Sequence, residues 1–215
     1  MDRRNFFKQG FDKLAGGAIN VAEAHLEHKA KHWIRPPYAR QELDFLLACT
    51  RCDACIEACP HQVIFPLPLA RGAEVVQTPA LDLLNKGCHL CEDWPCVDAC
   101  EPGALEIKLD EADNIGQTDT TNINDNSKDH NLDDKINDNQ PHVALPVLAK
   151  AEINTDRCLP YSGPECGACQ GSCPIPDTLV FNSEKPSINQ LQCVGCGLCR
   201  EACIAEPKAI NLRSI

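Results

Sequence analysis

Cysteine is the residue type in this chain whose number and spacing point most directly to chemistry. Sixteen cysteines fall into four groups of four: Cys49, Cys52, Cys55 and Cys59; Cys88, Cys91, Cys96 and Cys100; Cys158, Cys166, Cys169 and Cys173; Cys193, Cys196, Cys199 and Cys203. The first group reads C-x2-C-x2-C-x3-C-P, and the fourth repeats that spacing without the proline. Three thiolates within seven residues suit the corners of one iron–sulfur cube, with the fourth thiolate crossing to a neighbouring cube. No cysteine is left over, so the arithmetic gives four [4Fe–4S] clusters. Two other uses of cysteine are weighed against this. A disulfide framework needs partners apart in sequence, whereas these thiols crowd together. Structural zinc uses two separated CxxC pairs, rather than a tight trio followed by C-x3-C-Pro.

Each group needs elements that hold it, and the chain repeats a unit that does so. The unit is a strand, a cysteine trio, a short helix bearing the fourth cysteine, and a second strand. Leading strands are read at Leu81-Asp82, Ile153-Asn154 and Ile188-Asn189; trailing strands at Val63–Phe65, Ala104–Ile107, Thr178–Phe181 and Ala209–Leu212. Two units make one bacterial ferredoxin module. The expected fold is α+β: two tandem 2[4Fe–4S] modules with pseudo-two-fold βαβ-type repeats, behind an N-terminal amphipathic helical arm. The expected boundaries are 1–39 for the arm, 40–112 for the first module, 113–141 for a linker and 142–215 for the second module. The linker is assigned because Asp113–Gln140 is dominated by Asn, Asp, Thr and Ser, which bury too little surface to offset ordering entropy. If neighbouring units pair, Cys49, Cys52 and Cys55 join Cys100, and Cys88, Cys91 and Cys96 join Cys59. Likewise Cys158, Cys166 and Cys169 join Cys203, and Cys193, Cys196 and Cys199 join Cys173. A nested pairing of first unit with fourth and second with third stays open.

With 5% aromatic residues in 215, a large conventional core is not expected, so cluster binding and folding should be inseparable. The formal charge of −11 argues against nucleic acid or an anionic membrane as a general partner and suits a basic patch on a redox protein. An acidic surface that serves solubility explains the charge equally well. No apolar run is long enough to span a bilayer. Arg3-Arg4-Asn5-Phe6-Phe7-Lys8 resembles a twin-arginine export signal, but Asp12 and Lys13 follow closely and the uncharged run after them is short. Phe7, Phe11, Leu14, Ala18 and Val21 share one helical face, which favours a retained docking helix and a cytoplasmic location, with export as the alternative. His25, His28 and His32 continue a face and are read as solvated.

The spacing is irregular at two places. Glu92–Pro95 separates Cys91 from Cys96, and Leu159–Glu165 separates Cys158 from Cys166. Trp94 and Tyr161, carried on these insertions, are read either as shields of their clusters from water or as packing residues. Neither a phosphate loop nor a nucleophile triad is present in the motifs, and every cube has four cysteines. No residue is therefore assigned a catalytic role, and the chemistry expected is outer-sphere electron transfer.

The stretch Ile34-Arg35-Pro36-Pro37-Tyr38, with Phe45–Cys55, resembles the ferredoxin-type proteins of the periplasmic nitrate reductase system. Cys158–Tyr161, Glu165–Cys169 with Cys173, and Cys193–Cys199 are similar to the same family, whose likeness covers nearly all the chain except the Asn/Asp-rich run. The first motif and the N-terminus look like the cytoplasmic NapF branch, while Cys91–Cys96 is similar to the exported NapG and MauM branch. The resemblance implies an iron–sulfur accessory protein that delivers electrons to, or matures, a molybdoenzyme catalytic subunit. The alternatives are an exported conduit working with a membrane quinol-oxidising subunit, and a non-redox scaffold stapled by its clusters.

Overall fold

A computed structural model describes residues 33–107 and 144–215. The arm segment 1–32 and the run assigned to the linker lie outside the described residues. The chain divides into one compact unit, Met1–Glu106 with Leu145–Ile215, and a second, Ile107–Ala144, almost none of which is described. Both cysteine-rich halves therefore belong to the same compact unit.

Elements are short, as expected of a chain whose ligands recur every few residues. The first half contains α1 (Glu42–Ala48), α2 (Ala54–Glu57), β1 (Ile64–Pro66), β2 (Pro79–Leu81) and α3 (Pro95–Asp98). The second contains β3 (Lys150–Ile153), α4 (Leu159–Ser162), β4 (Leu179–Asn182), β5 (Lys185–Ile188), α5 (Leu198–Ala202) and β6 (Ile210–Arg213). The strands pair antiparallel in twos: β1 with β2 (Ile64↔Leu81), β3 with β6 (Ile153↔Ile210) and β4 with β5 (Leu179↔Ile188). The trailing strand read at Ala104–Ile107 is reduced to a single bridge, Leu105 opposite Ala39. Strand order is thus the same in both halves, the outer pair being the Ala39–Leu105 bridge in one and β3–β6 in the other.

The halves differ in how their inner pair is joined. Ser183 and Glu184, both with positive φ (49° and 69°), turn β4 directly into β5. Between β1 and β2 the chain instead makes a longer excursion, and Leu67 and Val75 from it pack with Trp33 and Ala80 into a buried cluster. Arg35 fastens this region. Its Nε and Nη2 donate to Glu42 at 2.9 and 2.5 Å, and Nη1 donates to Thr78 Oγ1 and the Pro79 carbonyl, both at 2.8 Å. The guanidinium also lies 4.5 Å from the Phe45 ring centroid. A planar fork with five donors suits this task as an ammonium would not. Residues 33–39, assigned to the arm, are non-helical and lie against the first half: Leu81 N–H donates to the Ile34 carbonyl and Glu106 N–H to that of Tyr38.

The loops that carry the cysteines turn at recurring positions. Arg51, Leu90 and Gly195 immediately precede a second cysteine; Asp53, Trp94 and Gly197 stand two residues before a third. All six have positive φ, between 43° and 85°. Clashes of Cβ with the backbone make this costly for the non-glycine members, so the surrounding structure must hold these turns in place. At Gly195 no side chain fits, since a Cβ would sit 2.0 Å from the Ala149 carbonyl oxygen.

Candidate metal centres

Four cavities line up with the four cysteine groups. Cavity I is lined by Cys49, Cys52, Cys55 and Cys100, with Phe45, Pro102 and Leu105. Cavity II is lined by Cys88, Cys91, Cys96 and Cys59, with Pro60, His61, His89 and Trp94. Cavity III holds Cys158, Cys166, Cys169 and Cys203, and cavity IV holds Cys193, Cys196, Cys199 and Cys173. Each cavity therefore takes three cysteines from one group and the fourth from its neighbour, the grouping of adjacent units rather than the nested one.

In three of the four groups a helix ends before the fourth cysteine. Cys55, Cys96 and Cys199 lie within α2, α3 and α5, whereas Cys59 and Cys100 lie beyond the helix end and Cys203 caps it. The fourth cysteine was expected on the helix. Residues four apart on a continuing helix share a face, so ending the helix first frees the fourth thiol to serve the adjacent cavity. Between Cys169 and Cys173 no helix intervenes; the chain runs through turns there, and Cys173 still lines the adjacent group's cavity.

The donor set fits a polynuclear cluster. Among the described residues no group of three His, Cys, Asp or Glu side chains is placed to hold a single metal ion. Four cysteines lining one cavity are the donor set that a cube of iron and sulfide takes. Burial pushes the thiols of Cys55, Cys96 and Cys199 up to about 12, and those of Cys88, Cys169 and Cys196 to about 11, with neighbouring cysteines adding to the rise. Negative charge crowded into apolar walls is unfavourable unless cations neutralise it, which is what iron supplies. Leu105 N–H also donates to Cys100 Sγ at 3.3 Å, a contact of the kind that tunes reduction potential.

Of the two aromatic residues on the insertions, Trp94 lines cavity II, is 8% exposed and meets the Tyr38 ring edge-on at 4.9 Å. Tyr161 does not line its cavity. It is 37% exposed, and its hydroxyl donates to the Pro186 carbonyl at 2.9 Å, tying α4 to β5. Pro102, one residue later than the other prolines, still lines cavity I. Sequence reasoning missed the imidazoles of His61 and His89, which stack at 3.5 Å and 6° over cavity II. Their closeness to ligands, as Cys59-Pro60-His61 and Cys88-His89, was the available signal.

Residues 48–105 match the family model described as a 4Fe-4S dicluster domain. The ferredoxin-type protein NapG of Haemophilus influenzae is 29% identical over 98% of this chain and 71% of its own length. The methylamine utilization ferredoxin-type protein MauM of Methylorubrum extorquens is 30% identical over 94% of this chain and 82% of its own. The chain belongs to the NapG, MauM and NapF family of ferredoxin-type proteins. NapF of Escherichia coli is 29% identical over 81% of this chain and 82% of its own length. No solved structure matches the chain. As a member of this family it is a ferredoxin-type iron–sulfur protein of electron transport, and none of its described helices is long and apolar enough to cross a membrane.

Proposed function

We propose that this chain is a polyferredoxin of two tandem dicluster modules, which carries four [4Fe–4S] clusters and exchanges single electrons with protein partners. The observation that carries the reading is that sixteen cysteines divide without remainder among four cavities. When bound, the clusters supply reversible one-electron chemistry. The chain's own part is to complete every iron's coordination with thiolate, exclude water with Trp94 and the apolar walls, and set potential through contacts such as Leu105 N–H to Cys100 Sγ. Iron and sulfide analysis of anaerobically purified protein tests the count. About sixteen irons per chain are expected for four cubes, and half that number would reduce the reading to one module.

The role fitted best by residues 91–96 and by similarity to NapG and MauM over nearly the whole chain is an electron conduit. Its partner would be a membrane quinol-oxidising subunit, and Arg3-Arg4 would serve export by the twin-arginine route. The second reading is a cytoplasmic accessory protein for a molybdoenzyme catalytic subunit, favoured by the charged residues that interrupt the N-terminal apolar run and by similarity to NapF. Anaerobic affinity capture from native cells, with partners identified by mass spectrometry and protein located by fractionation, separates them. An integral membrane partner with exported protein supports the conduit; a soluble molybdoenzyme precursor with cytoplasmic protein overturns it.

A further inference from the structure

Hydrogen bonds that cross between the halves converge on two cavity walls. Cys88 N–H donates to the Cys196 carbonyl at 2.7 Å. Beside it, Gly87 N–H donates to Glu201 Oε2 at 2.8 Å, and Arg200 Nε donates to the Leu84 carbonyl at 3.1 Å. The approach requires glycine at position 87, because a Cβ there would lie 2.7 and 2.8 Å from the backbone N and Cα of Leu198. Cys88 lines cavity II and Cys196 lines cavity IV. From one thiol sulfur to the other, the path runs through the two cysteines' own atoms and one hydrogen bond, with no residue between.

Inside each half the cavities also adjoin. Cys59 and Cys100 each lie in the other group's cavity, as do Cys173 and Cys203. We infer that the four cluster sites form one array in the order I, II, IV, III, closed between the halves at Cys88 and Cys196 with Gly87 as the positioning residue. The inference rests on the four-cluster reading. It differs from the order along the chain and leaves cavities I and III as the ends of the array. Of the sixteen cysteines, the one with an exposed side chain, Cys52, lines the first of these ends. The other end is bordered by Ile204, 67% exposed.

The test uses the full chain with clusters loaded. A variant carrying Cys49→Ser, Cys52→Ser, Cys158→Ser and Cys166→Ser keeps only sites II and IV complete. After reduction with dithionite its electron paramagnetic resonance signals should be broadened and fast-relaxing through mutual coupling; two unperturbed, slowly relaxing signals would overturn the order. If that variant does not load, hydrogen exchange on the loaded natural chain decides instead. The Cys88 amide should be protected, and Gly87→Ala should speed its exchange at least tenfold. An amide that exchanges freely in the natural protein, or one indifferent to Gly87→Ala, overturns the junction. Iron analysis of the natural chain separates the two levels: a deficit there sinks the four-cluster reading, whereas full loading without II–IV coupling sinks only the order.

Discussion

Cross-ligation turns single cysteines into reporters of which cavity they serve. Cys100 lies in sequence with the second group but lines cavity I, and Cys59 does the reverse. Cys100→Ser is therefore expected to remove the cluster wrapped by Cys49–Cys55, and Cys59→Ser the one wrapped by Cys88–Cys96. Each change should cost roughly a quarter of the iron. Iron analysis with resonance spectra of the remaining clusters checks this, and loss of the cluster nearer in sequence would contradict the grouping. The thiol shifts make a second prediction. With Cys55 at about 12 and Cys88 at about 11, both above the ordinary value of 9.0, these thiols hold their protons at neutral pH until a metal displaces them. The protonated form is the one that the folded, cluster-free chain favours. That contribution is complete below pH 9 and fades as pH rises through 11 to 12. Binding iron requires thiolate, so loading should release protons at pH 7 and weaken on acidification. A pH-stat titration during reconstitution would show base uptake, and none would refute the assignment of buried thiols as ligands.

At the scale of elements, the Arg35–Glu42 pair fixes α1 and the segment before it onto β2. Their side chains are 10% and 6% exposed, so removing one partner strands the other in a poorly solvated place. Arg35→Ala is expected to cost about 3–5 kcal/mol, far more than an exposed pair such as Arg213–Glu152 would. The four-cluster reading couples unfolding to cluster loss, so the readout is a shortened half-life of the visible iron–sulfur absorbance on heating, with Arg213→Ala as the control. Equal half-lives for the two variants would show that the clamp is dispensable. The loop turns give a sharper contrast. Gly195→Ala places a carbon against the Ala149 carbonyl and should abolish loading of cavity IV, whereas Gly171, whose surroundings are open, should tolerate alanine apart from its φ of +72°.

For the whole molecule, the acidic charge of −11 governs encounter more than fold. Electron exchange with a basic partner protein should slow as salt is raised from low to physiological ionic strength, since the screening length shrinks from about 30 Å at 0.01 M to about 8 Å. Stopped-flow rates across a salt series, using a small basic electron carrier as probe, check the sign. A rate that is flat or rises would mean the charge serves solubility alone. Both halves share one compact unit, so chelating the iron from either should loosen the other; far-ultraviolet dichroism against iron content would reveal it as a single transition.

That the cysteines would gather in fours was legible in the sequence because close spacing such as Cys193–Cys199 keeps three of them on one loop, and the four cavities are lined accordingly. The strand pairs were mostly legible for a related reason: short apolar β-formers flank each loop. Ala104–Ile107 failed to make a full strand because its counterpart is the proline-rich segment 36–39, whose prolines lack the N–H groups that a ladder needs. Other features depended on the tertiary structure. Neighbour and nested groupings use the same cysteines, and only which loops fold around one cavity chooses between them. The Arg35 clamp, the His61–His89 stack and the seat of Gly87 on Leu198 join residues far apart in the chain. Such contacts depend on shape and desolvation in three dimensions, for which local residue pattern carries no signal.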